Sequence, residues 1–100
     1  MELIKSRKFG NVIENIYECG GYIINYFFAD NNGTREMKDL EIICKEERMP
    51  EITYDSWDTK EFRIQTTSYG SLVPDEINKV IEGLQEAQEV VKTIKANLMK

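Results

Sequence analysis

The sequence predicts an α+β domain, an antiparallel sheet of about four strands carrying a long C-terminal helix, and three observations support this. The last quarter of the chain places Ile77, Val80, Leu84, Ala87, Val91, Ile94 and Leu98 at alternating spacings of three and four, the seam of one amphipathic helix. The first third holds two runs rich in β-branched and aromatic residues on either side of Gly20-Gly21, a two-residue hairpin signal. A second pair of such runs lies at 51–54 and 62–67, so the chain has two hairpins.

In order, residues 11–19 and 22–30 form the first hairpin. Residues 3–9 either extend its first strand or pair as a separate one across the turn-like Gly10-Asn11, and both readings stay open. After Asn31-Asn32-Gly33 the apolar period changes. Thr34 can cap a helix over about 35–48 in which Met37, Leu40, Ile43 and Cys44 share a face, Glu41 and Lys45 stand four apart, and Pro50 stops the run. A strand through Leu40 to Lys45, favoured by the adjacent Ile42-Ile43, is the competing reading. The second hairpin holds Asp55, Ser56, Trp57, Asp58 and Thr59 in its loop, and the helix at 74–98 follows. The expected order is therefore ββαββα with both helices on one sheet face.

The chain of 100 residues makes one domain over 1–100, large enough to bury a core without a metal or a disulfide. Cys19 and Cys44 lie far apart without CxxC spacing and read as buried reduced thiols. No long apolar run follows the basic N-terminal residues, so the expectation is a cytoplasmic protein with no membrane partner. Charge is unevenly placed: residues 2–8 sum to +2, residues 74–91 to −4, and three lysines follow. Along the helix this order complements the macrodipole and needs no functional explanation. A net charge of −5 repels phosphate backbones, which disfavours direct nucleic-acid binding.

The sequence contains no histidine, which removes Ser/His/Asp and Cys/His nucleophile systems and His-ligated metal centres. Carboxylates cluster at Asp55, Asp58 and Glu61 and around Pro50, but none sits in the apolar context that tunes a general acid or base. The 55–61 loop lacks calcium-loop spacing. We expect no catalytic residues, no cofactor and no metal. The loop Thr66-Thr67-Ser68-Tyr69-Gly70-Ser71 precedes a helix N-terminus and could hold an anion through Ser68, Gly70 and Ser71. Against that, no phosphate-loop motif is present and Asp75-Glu76 already occupy that helix end. The plainer reading is a turn with Gly70 in an unusual φ, Ser71 capping and Pro74 in the first turn.

Along residues 22–29 one strand face is Tyr22, Ile24, Tyr26 and Phe28 and the other is Ile23, Asn25, Phe27 and Ala29, so neither is polar. A second cover from the N-terminal segment or the Trp57 loop would explain this. The sharper reading makes one face an interface, and Tyr22, Tyr26 and Phe28 are the expected partner-binding residues. The helix seam could zip a homodimer, but Ile81 and Val90 widen it and Gly83 is out of place in a free coiled coil, which favours packing on the sheet.

The run Gly20 to Tyr26, the segment from Cys44-Lys45-Glu46-Glu47 to Met49-Pro50, and Thr66 to Leu72 together resemble small uncharacterised proteins of phages and mobile elements of Gram-positive bacteria. The resemblance covers most of the chain and implies an accessory protein acting by contact. Anti-CRISPR and other host-takeover inhibitors are similar in size and acidity. No functional residue transfers, and the 13 basic residues among 18 acids depart from phosphate mimicry. The expectation is a small acidic non-catalytic interaction protein with a protein partner. A small-ligand or anion-binding module is the alternative.

Overall fold

A computed structural model describes residues 1–46, 49–65 and 71–99. In chain order the elements are β1 (Glu2–Phe9), β2 (Val12–Cys19), β3 (Tyr22–Asn31), β4 (Thr34–Cys44), β5 (Glu51–Tyr54), β6 (Phe62–Gln65) and α1 (Pro74–Leu98). The α+β class holds. β1 to β4 form an antiparallel meander in chain order, and β5 and β6 form a separate hairpin. Residues 3–9 thus pair as a strand of their own, through Gly10-Asn11.

Where a helix is expected over 35–48 the chain forms β4 as far as Cys44, residues 47 and 48 lie outside the described residues, and the ββαββα order is corrected with it. Asn32 and Gly33 both take positive φ, 54° and 86°, the conformation a two-residue hairpin turn requires. The chain therefore reverses directly from β3 into β4. A bulge explains why the pattern looked helical. Phe27 pairs with Asp39 but Phe28 pairs with Met37, so Lys38 is an extra residue in β4. Met37 and Leu40, three apart, then point to the same face, opposite Phe28 and Tyr26. Adding Cys44 opposite Tyr22 completes a 3,4 spacing in an extended chain. Thr34 caps no helix, and Glu41 and Lys45 are not neighbours on a helical surface.

One face of the meander is closed. Tyr22, Ile24, Tyr26, Phe28 and Leu40 form a single buried cluster with Ile52 of β5 and with Ala87, Val90, Val91 and Ile94 of α1. α1 starts and stops where its seam predicts, and the seam packs on the sheet over its carboxyl half. Towards the amino end Leu84 is only half-buried, and Ile77 and Ile81 remain 48% and 47% exposed. Gly83 approaches Pro50, just ahead of β5, rather than the meander.

Candidate protein interface

The strand face expected to meet a partner is the one α1 covers. Tyr22 is fully buried, and Tyr26 and Phe28 are each 3% exposed. The Tyr22 hydroxyl donates to the Pro50 carbonyl at 2.7 Å, and burial, with Cys44 and Glu86 adding to it, pushes its pKa up to about 12. Tyr26 and Phe28 stack with ring centroids 5.0 Å apart, and the Arg35 guanidinium lies 4.8 Å over the Phe28 ring. Burial of the Tyr22 hydroxyl is met by the Pro50 acceptor. Tyr22, Tyr26 and Phe28 are core residues.

The opposite face is the open one, and the pairing registers lay it out in rows running from β1 to β4. Lys5, Ile16, Asn25 and Glu41 make one row, and Arg7, Glu14, Phe27 and Asp39 make the next. Phe9, Val12, Ala29 and Glu36 lie towards one end, and Glu18, Ile23 and Ile43 towards the other. On its two inner strands Val12, Ile16, Ile23 and Phe27 are half-buried and alternate with Glu14, Glu18 and Asn25. At its margins Phe9 is 56% and Ile43 43% exposed. The Trp57 loop, one of the covers the sequence suggested, leaves its tryptophan 90% exposed. The N-terminal segment is an edge strand beside this face rather than a lid on it.

Charge is sorted across the rows. The β1 side carries Lys5 and Arg7 with Glu2 at its end, and the β4 side carries Glu36, Asp39 and Glu41. Arg7 Nε stands 3.7 Å from Glu14 Oε1, and Glu36 is tied to Lys38 at 3.2 Å. Asp39 accepts from the Leu40 amide at 2.9 Å and the Ser56 hydroxyl at 3.4 Å. Among the described residues, Lys5 and Glu41 take part in no ion pair. Two acceptors on this face, Glu14 Oε1 and Asn25 Oδ1, are enclosed without a hydrogen-bond donor among the described residues. Such groups are destabilising in an isolated sheet and confer register when two surfaces meet.

Of the alternative anion site only Ser71 falls among the described residues. Ser68 and Gly70 lie outside the described residues. Ser71 is exposed and is not the cap: Val73 occupies the N-cap without a side-chain hydrogen bond, and Pro74 opens the first turn as expected. Asp75 and Glu76 in that turn oppose an anion. Beside α1 a cleft of about 400 Å³ is lined by Glu46, Met49, Leu72, Glu76, Val80 and Gly83 among others. Both cysteines are free and half-buried, and Cys44, its thiol pKa raised by burial, donates to the Pro50 carbonyl at 3.2 Å. Among the described residues no cluster of Cys, Asp and Glu could hold a metal ion, and no helix is long and apolar enough to cross a membrane.

Sequence reasoning had listed Ile23, Asn25, Phe27 and Ala29 as the second face of β3 but passed over them for the tyrosine side. It could not see the charged margins. Glu41 and Asp39 join this face only if residues 34–44 are a strand, and the bulge hid that. No protein-family model, curated protein or solved structure matches this chain.

Proposed function

We propose that this is a small non-catalytic interaction protein whose working surface is the open face of the meander. The observation that carries this reading is the set of half-buried apolar residues Val12, Ile16, Ile23 and Phe27 on the inner strands, which α1 leaves uncovered while it packs on the other side. Surfaces that combine uncovered apolar side chains with polar and charged neighbours are those on which proteins dock. The resemblance to proteins of phages and mobile elements supports an accessory or inhibitor role through contact, of which an anti-CRISPR-like or other host-takeover activity is one form. The partner is a protein, neither nucleic acid nor membrane, met in the cytoplasm and without a cofactor.

The test compares neighbours on one strand. Phe27→Ser should abolish capture of the partner, or self-association if the partner is a second copy, while thermal unfolding stays cooperative. Retention of every such contact in a Phe27→Ser, Ile16→Ser double variant would remove this face as the working surface.

A further inference from the structure

We infer that the occupant of the open face is a second copy of this chain, packed sheet on sheet about a twofold axis that runs along the strands between β2 and β3. The inference rests on the proposed working surface and names its partner. Two sheets can be brought face to face by an in-plane twofold in two ways. An axis across the strands lays β1 over β1 and sets Lys5 and Arg7 against their own copies. An axis along the strands lays β1 over β4, and then each row meets itself reversed.

In that second arrangement the sorted charges become complementary. Lys5 lies over the partner's Glu41 and Arg7 over the partner's Asp39, and symmetry repeats both pairs on the other margin. Lys5 and Glu41, neither of them in an ion pair among the described residues, stand in the same row. Between them Ile16 meets the row of Asn25, and Glu14 meets that of Phe27, so apolar and polar groups alternate across the axis. Strand rise and spacing give the face a footprint of roughly 500 Å² per copy, about 1,000 Å² in all, the lower bound for a specific interface. The charge pairing at the two margins therefore decides the geometry.

Sedimentation equilibrium over a dilution series tests this with exposed, unpaired positions. The wild-type chain should dimerise. Lys5→Glu alone and Glu41→Lys alone should each weaken the dimer about tenfold or more, because each change sets two like-charge pairs in the dimer. An equimolar mixture of the two variants should restore it as a heterodimer, and the double variant should restore it as a homodimer. Circular dichroism of each variant reports folding, and Lys5→Ala and Glu41→Ala serve if a reversal unfolds the chain, with smaller losses expected for both. A wild-type chain that stays monomeric, a dimer indifferent to both reversals, or a mixture that fails to re-form would overturn the inference. If the wild type is monomeric while Phe27→Ser still abolishes capture of another protein, the working surface stands and only its occupant is wrong.

Discussion

Tyr26 and Phe27 are adjacent in β3, similar in size and both aromatic, yet one belongs to the core and the other to the open face. The difference is not in the residues. A strand with two apolar faces can be covered on either, and the side that α1 reaches becomes the core because Ala87, Val90, Val91 and Ile94 complete it. The same contrast repeats along α1, whose carboxyl half is buried while Ile77 and Ile81 stay in solvent. Apolar pattern marks what can be buried, and contact decides what is.

The largest effect should break the contrast if it is wrong. Tyr26→Ala should cost about 3–5 kcal/mol in denaturant unfolding and Ile94→Ala about 2–5, whereas Phe27→Ala, measured on dilute monomer, should cost less than about 1.5 kcal/mol. Equal losses for Tyr26→Ala and Phe27→Ala would mean that both faces are covered. Leu84→Ala should fall below Ile94→Ala, since Leu84 is only half-buried.

The closed face also contains a polar contact whose loss can be isolated. Tyr22→Phe keeps the ring and leaves the Pro50 carbonyl without its 2.7 Å donor, which should cost about 1–3 kcal/mol. A neutral result would show that the Cys44 thiol, which also donates to the Pro50 carbonyl at 3.2 Å, or water takes the place of the phenol.

Gly83→Ala sharpens the comparison of the two helix halves with the opposite sign. An added Cβ would stand 3.4 Å from Pro50 Cδ, ordinary contact, so the gain in helix propensity should stabilise the protein by roughly 0.5–1 kcal/mol. A loss would show that Pro50 is packed against α1 more rigidly than this.

The smallest effect concerns the 55–61 loop, which touches the margin of the open face through Ser56 and Asp39. Amide donors from Asp58, Trp57 and Thr59 hold the Asp55 carboxyl below the usual aspartate range. A lowered folded pKa contributes loop order at neutral pH that is lost as pH falls through that value. The fluorescence of Trp57, the sole tryptophan, should therefore change with a midpoint below the ordinary aspartate pKa, and Asp55→Ala should remove the transition. An unchanged titration in Asp55→Ala would assign it to another carboxylate.

By itself the sequence determined the local elements whose signals are short-range. Gly20-Gly21 set a hairpin, the β-rich runs at 51–54 and 62–65 set another, and the 3,4 seam with Pro74 at its start set α1. Asn31-Asn32-Gly33 marks a turn, but the spacing of Met37, Leu40, Ile43 and Cys44 after it reads as helical, because a bulged strand shares the spacing of Met37, Leu40 and Cys44 with a helix while Ile43 falls on the other face. Only the tertiary structure decided which face of β3 became core, because that depends on where a distant helix lands, and residues 22–29 are apolar on both sides. The charged margins of the open face were out of reach for the same reason. Lys5 and Glu41 are 36 positions apart in the chain and become members of one row only when three successive turns fix the register of four strands.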